Sequence, residues 1–275
     1  MIDIHAHILP GVDDGPADWQ ESLAMIEMAT KDGISDIVAT PHVFPDGPFN
    51  ADRDEILSLV DQLQKKIDKA GLKCTIYPGS EIYLTPDIPA RVKKKEILTY
   101  CDAGKYILIE MPSSQIPSYT EKVLFELQLQ GLTPIIAHPE RNLAVIRDPA
   151  RIEAFIEKKV PIQITANSLK GTLPVRRAVE YFLNKNLASF VATDAHGSEI
   201  RRPLFSKYIK VIDDRYGTDM TNNLCNTNPS LLIANEEIKL TTVDDDSIYK
   251  NGYRKTHFIY YLRRKLMNFI KAKED

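Results

Sequence analysis

Seven short apolar, β-branched runs recur along the first part of this chain, and they constrain its fold more than any other feature. They cover residues 2–8, 36–40, 74–77, 106–109, 133–137, 160–164 and 189–193. Each is short and continuously apolar, which is the pattern of a strand buried on both faces. Helical patterns separate them. Residues 51–70 place Ile56, Val60, Leu63 and Ile67 on one stripe, and Gly71 follows as a stop. Asp18 with Glu21 reads as a capping pair for a helix carrying Leu23, Ile26 and Ala29. Residues 119–130, 149–159 and 175–185 complete the set. Strand and helix alternate to about residue 197, which implies a parallel sheet, either open or closed as a barrel.

The polar residues favour the barrel. Reading past the end of each run gives His5 and His7, then His42, Glu81, Glu110 and His138, and finally Asp194 with His196. Closure brings every strand end to one rim, whereas an open sheet spreads them along a line. The sixth run ends in Thr165-Ala166-Asn167-Ser168, which is polar but a weak metal site. The fold class expected is therefore α/β, a (β/α)7 barrel. Beyond residue 197 the pattern changes. Residues 201–216 read as a helix with Leu204, Tyr208, Val211 and Ile212 as its stripe, and Asn228-Pro229 starts a short helix through Leu232. Asp244-Asp245-Asp246 reads as a loop and residues 254–273 as a basic helix. Two parts result: a barrel over residues 1–235, and an acidic loop plus basic amphipathic helix over 236–275.

Bulk properties exclude several classes. The 35 Lys and Arg nearly balance the 38 Asp and Glu, so no global basic field points to nucleic acid. No run approaches a membrane span, and Met1 leads straight into the first strand, so no signal peptide is expected. The three cysteines, Cys74, Cys101 and Cys225, form no CxxC pair and suit a reducing, cytoplasmic compartment. Residues six past each are Ser80, Ile107 and Leu231, so the Cys-x5-Arg loop of a cysteine-based phosphatase is absent. No GxxxxGK[ST] or GxGxxG loop occurs.

His5-Ala6-His7 sits on a strand, where period-two alternation puts both imidazoles on one face together with Asp3. Alone, such a pair is as easily two hydrogen-bonded core histidines as a metal site. Five of the six histidines fall at strand ends, however, with carboxylates from the same rim. His5, His7, Asp14, His42, Glu81, Glu110, His138, Asp194 and His196 make nine candidate ligands. One tetrahedral zinc uses three or four protein ligands. Nine suit two or three ions with bridging carboxylates, and the imidazole–carboxylate mixture without thiolate fits Mn, Fe or Zn. Ions about 3.5–4 Å apart can hold a bridging hydroxide that attacks phosphorus and can clamp a phosphoryl oxygen. Arg141 lies three residues past His138 and Arg201 five past His196, and guanidinium forks match phosphate oxygens. Arg202 competes with Arg201 for that role.

At this point the residues resemble a known family. The segment from Met1 to Pro16 (MIDIHAHILPGVDDGP), Thr40-Pro41-His42, Gly79-Ser80-Glu81-Ile82-Tyr83, Ile107-Leu108-Ile109-Glu110, Ile136-Ala137-His138-Pro139-Glu140-Arg141 and Ala192-Thr193-Asp194-Ala195-His196 resemble, in order and spacing over about residues 1–235, the PHP-type bacterial protein-tyrosine phosphatases of the CpsB/CapC group. That group is linked to capsule and exopolysaccharide synthesis. The resemblance implies a distorted (β/α)7 barrel with a trinuclear, typically manganese-preferring centre. It implies hydrolysis of phosphotyrosine on a partner tyrosine autokinase whose phosphorylation state governs polymer export. By position, His5, His7, Glu81 and Asp194 hold one ion, Glu81, Glu110 and His138 a second, and Asp14, His42 and His196 complete the third. Of Asp13 and Asp14, the family pattern selects the second. Arg141 and Arg201 hold phosphate, and the role of Ser168 stays open.

Two other readings compete: a phosphatase for a small phosphomonoester such as histidinol phosphate, and a barrel that keeps its metals for structure and acts as a binding module. The rim aromatics Phe44, Tyr83 and Tyr119 are candidates for contact with a phosphotyrosine ring, or for plain packing. Residues 250–275 carry eight Lys or Arg against Glu274 and Asp275, and Phe258, Leu262, Leu266 and Phe269 form an apolar stripe. Such a helix packs on the barrel, or residues 254–273 make peripheral contact with an anionic membrane or a partner.

Overall fold

The computed structural model describes residues 1–240 apart from Asp46. Nine strands carry the fold: β1 (Ile2–Ala6), β2 (Asp36–Ala39), β3 (His42–Val43), β4 (Thr75–Pro78), β5 (Glu81–Tyr83), β6 (Tyr106–Glu110), β7 (Thr133–Ala137), β8 (Ile162–Thr165) and β9 (Ala188–Ala192). All pair in parallel, in the orders β1-β2-β4 and β3-β5-β6-β7-β8-β9. β2 and β3 are one strand interrupted at Thr40-Pro41, and β4 and β5 one strand interrupted at Gly79-Ser80. Counted that way the strands number seven, as the sequence pattern requires. Pro41 lacks the N–H that an unbroken ladder needs. A Cβ on Gly79 would fall 2.9 Å from Val38 Cγ1, so the adjacent break depends on glycine.

The ring closes between β9 and β1. Ala6 and Ala195 form a parallel bridge, His7 N–H donates to the Ala195 carbonyl at 2.8 Å, and Asp194 N–H donates to the His5 carbonyl at 2.8 Å. Asp3 seals the seam from inside: fully buried, it accepts from the Thr193 N–H at 3.0 Å and from the Thr193 hydroxyl. The result is the distorted (β/α)7 barrel, with its distortions at the two strand breaks.

Alternation along the strands divides the core. Ile37, Ile107, Ile109, Ile136 and Val191 face the main cluster with the outer helices. Val38, Tyr106, Leu108, Ile135, Phe190 and Ala192 join a second cluster with Leu232. Glu110 continues the side of Leu108, as period two demands.

The helices start where the chain supplies caps. Trp19–Lys31 begins at Asp18, which accepts from Gln20 and Glu21 N–H. Glu21 does not complete a capping box. Its carboxylate reaches across to the Ser198 N–H at 2.7 Å and braces the loop after β9. Arg53–Lys69 buries Ile56, Val60, Leu63 and Ile67, the expected stripe. The expected helix over 149–159 is a tight turn, Pro149–Ile152, followed by Glu153–Glu157. The helix expected from residue 201 starts at Ser206 and buries Ile209 and Ile212. Pro203 and the left-handed backbone of Arg201 (φ 54°) keep the preceding residues extended, and Asp32 supplies the cap by accepting from Ser206 N–H at 2.8 Å. Thr218–Asn222 adds a helix that the sequence pattern does not signal. No helix among the described residues is long and apolar enough to cross a membrane. The acidic loop Asp244–Asp246 and the basic helix 254–273 lie outside the described residues.

Candidate metal centre

The strand ends and the loop carrying Asp14 bring all nine candidate ligands together around Glu81. This carboxylate opens β5 and is fully buried. Its Oε2 lies 3.2 Å from His5 Nε2, 3.3 Å from His7 Nε2 and 3.1 Å from His42 Nδ1. Its Oε1 lies 2.7 Å from His138 Nε2. Asp194 Oδ1 stands 3.6 and 3.5 Å from the same two nitrogens of His5 and His7. Glu110 sits 3.9 Å from both His42 and His138. Asp14 Oδ1 lies 3.5 Å from His42 Nε2 and 3.2 Å from His196 Nε2.

Three groups of donor atoms are each close enough to share a cation: His5, His7, Glu81 and Asp194; His42, Glu81 and Glu110; and His7, Asp14, His42 and His196. The first is the set expected for one ion. In the second, His42 stands beside the expected Glu81 and Glu110, with His138 against both carboxylates. In the third, His7 joins the expected Asp14, His42 and His196.

Orienting bonds turn the rings inward. His5 Nδ1 donates to Gln163 Oε1 at 2.9 Å, His7 Nδ1 to Asp13 Oδ2 at 2.7 Å, and His196 Nδ1 to the Asp194 carbonyl at 3.0 Å. Each turns Nε2 toward the centre, where a metal would take its lone pair in place of a proton. Asp13 also accepts from the His42 N–H at 2.9 Å, so it acts behind the ligands while Asp14 stands among them. Gln163 and Glu140 stand outside the candidates drawn from the sequence. Glu140 is fully buried and accepts from the Thr165 N–H at 2.7 Å, tying the turn after β7 to the end of β8. The signal for Gln163 was visible as one amide inside an otherwise apolar run. After Thr165 ends β8, Ala166–Lys170 forms a tight turn in which Ser168 is buried.

The electrostatics call for positive charge. Burial disfavours the His7 imidazolium, yet the neighbouring Asp13 and Glu81 carboxylates outweigh burial and push it up to about 10. Burial and then the negative charge of Glu81 push Glu110 up to about 7. Asp194 is held well below the usual carboxylate range despite its burial, chiefly by Arg141 and His5. The buried His42 Nδ1, Glu81 Oε2 and His196 Nε2 have no hydrogen-bond partner. Buried carboxylates crowded against one another and against imidazoles are costly unless positive charge joins them. The donor set is oxygen and imidazole nitrogen at mutual distances that cations can bridge, so these residues fit divalent metal ions.

Both candidate arginines reach the centre. Arg141 pairs with Asp194 Oδ2, and Arg201 donates to both Asp194 oxygens at 2.8 and 2.9 Å. Arg202 is exposed, whereas Arg201 is half-buried against Asp194. The backbone is left-handed at His138 (φ 27°), Asp194 (φ 51°) and Arg201 (φ 54°), and such strained turns concentrate at functional sites. Among the aromatics, the Tyr119 hydroxyl donates to the Leu84 carbonyl at 3.2 Å, a packing role, while Phe49 stands beside Phe44 and His42.

Residues 1–234 match the family described as capsular polysaccharide synthesis, CpsB/CapC. The chain belongs to the CpsB/CapC family. Among its relatives in that family, it is 35% identical over 240 residues to the tyrosine-protein phosphatase YwqE of Bacillus subtilis, covering 86% of this chain and 93% of that protein. It is 31% identical over 245 residues to the tyrosine-protein phosphatase CpsB of Streptococcus agalactiae, covering 86% of this chain and all of that protein. A crystal structure from the work on YwqE of B. subtilis and CpsB of Streptococcus pneumoniae, described as metal-dependent tyrosine phosphatases, matches this CpsB/CapC chain with a TM-score of 0.82 at 33% identity, over 88% of this chain and 97% of that one. A β-aspartyl dipeptidase from Fervidobacterium islandicum shares the fold at 16% identity and a TM-score of 0.54, covering 84% of this chain and 72% of that one.

Proposed function

We propose that this chain is a metal-dependent protein-tyrosine phosphatase, acting through residues 1–235 on phosphotyrosine of a partner tyrosine autokinase that controls capsule or exopolysaccharide synthesis. The observation that carries this reading is the convergence of His5, His7 and His42 on the unpartnered Glu81 Oε2, with two arginines meeting at Asp194 beside it. We assign the metals to His5, His7, Asp14, His42, Glu81, Glu110, His138, Asp194 and His196, and take manganese as the working metal and three as the number of ions, with iron or zinc able to use the same donors. When bound, such ions activate water and neutralise phosphoryl charge.

The chain's own residues supply the rest. Gln163 and Asp13 hold the His5 and His7 rings in register. Arg141 and Arg201 turn from Asp194 to the phosphoryl oxygens and fix the ester for in-line displacement. The buried strand ends keep bulk water from the inner side. We place the reaction in the cytoplasm, where the free thiols of Cys74, Cys101 and Cys225 are stable.

The test is turnover of manganese-loaded enzyme on a phosphotyrosine peptide, a phosphoserine peptide and histidinol phosphate. Strong preference for phosphotyrosine is expected. Comparable rates on all three would undo the protein-tyrosine assignment, and no turnover on any would undo the enzyme.

A further inference from the structure

The outer side of the centre is bordered by an aromatic wall that phosphate chemistry alone does not require. The Phe44 ring lies 4.8 Å from Tyr83 and 5.9 Å from Phe49, centroid to centroid. Both phenylalanines flank His42, at 5.2 and 5.9 Å, and Phe49 lies within 16° of parallel to the imidazole. Tyr83 pairs in register with Glu110 across β5 and β6. All three residues are half-buried, so part of each side chain is open to solvent.

A short hairpin holds the two phenylalanines. Val43 and Asn50 form an antiparallel bridge, and Phe44 N–H donates to the Phe49 carbonyl at 2.6 Å. Gly47 N–H donates back to the Phe44 carbonyl at 2.9 Å. A Cβ at Gly47 would fall 2.5 Å from Phe44 Cβ, so glycine is what lets the hairpin close onto that ring. Pro45 and Pro48 flank Gly47 and restrict the backbone further. The wall is thus prearranged, and apolar walls beside a few convergent polar groups are how pockets select ligands.

We propose that Phe44, Phe49 and Tyr83 form the subsite for the aromatic ring of the phosphoester and set a preference for aryl over alkyl phosphates. The inference rests on the reading of this centre as a phosphomonoesterase. A phenyl ester carries its ring one oxygen away from phosphorus, so a phosphate at the metals and arginines brings that ring against the wall, in the offset or edge-to-face packing aromatic pairs prefer. A serine ester offers only a methylene there and leaves the rings uncovered.

The experiment is inhibition of the metal-loaded enzyme by phenylphosphonate, methylphosphonate and inorganic phosphate. The native chain should bind phenylphosphonate about tenfold more tightly than methylphosphonate. Phe44→Leu and Phe49→Leu should each lower that ratio, and the double variant should bring it near one. Gly47→Ala, which keeps both rings but displaces Phe44, should give an intermediate ratio. Inhibition by inorganic phosphate should stay within about twofold throughout, because the phosphate groups are untouched. A native ratio near one, or an unchanged ratio in the double variant, overturns the subsite. If the double variant loses phosphate inhibition as well, its fold is damaged and Gly47→Ala decides in the same sense. Failure of inorganic phosphate to inhibit the native chain defeats the phosphomonoesterase reading itself, and the subsite with it.

Discussion

The two sides of the centre are built differently. On the inner side, the side chains of His5, His7, Glu81 and Asp194 are 0–1% exposed. They come from β1, the start of β5 and the end of β9, and orienting bonds fix the two rings. On the outer side, Asp14 is 48% exposed, Glu110 20% and His42 12%. Asp14 stands on a loop, and the hairpin after β3 forms the border. A buried ligand has no solvent to replace it when it is lost; an exposed one does. On the proposed function, the inner side should set whether metal is held at all, and the outer side what approaches it.

Experiments can break this contrast. The largest effect should follow removal of metal by a chelator: turnover should vanish, Tm should fall, and added Mn²⁺ should restore both. Glu81→Ala should be nearly as severe, lowering kcat/KM by about a thousandfold or more, since several kcal/mol of charge stabilisation pass through its neighbours. Asp14→Ala should cost clearly less. Equal losses in the two variants would erase the distinction between sides.

Smaller changes sharpen the picture. Gln163→Ala removes the acceptor behind His5, and should weaken manganese binding about 10- to 100-fold by calorimetry. Unchanged affinity would mean that the ring is held by packing alone. Thr193→Val removes the hydroxyl that donates to Asp3 at the barrel seam, and should cost about 1–2 kcal/mol in urea unfolding. Asp18→Ala, at a helix start on the barrel's outside, should cost about 1 kcal/mol and leave turnover unaltered.

Much of this is legible in the sequence. Eight of the nine ligand candidates, the strand–helix alternation and the Arg53–Lys69 stripe follow from local periodicity, which short strands and long helices express directly in residue type; Asp14 comes from the family resemblance. Legibility failed where the partner was remote. Glu21 looks like half of a capping box, yet it serves Ser198, 177 residues away. The backbone around Arg201 looks helical by pattern, yet a left-handed turn aims that arginine at Asp194 and leaves Arg202 outside. Asp13 and Asp14 are chemically equal neighbours in the sequence, but only the folded chain puts one behind His7 and the other against His42 and His196.

The sequence by itself determined which side chains are available and at which strand ends, because alternation and chain order need no long-range information. Tertiary structure alone decided how the donors divide among the possible ion sites, which arginine reaches Asp194, and that Phe44, Phe49 and Tyr83 share one wall. Those outcomes depend on closure of β9 against β1 and on the bends at Pro41 and Gly79. Closure converts seven separate strand ends into one ring, and distances across a ring are not written in spacing along a chain.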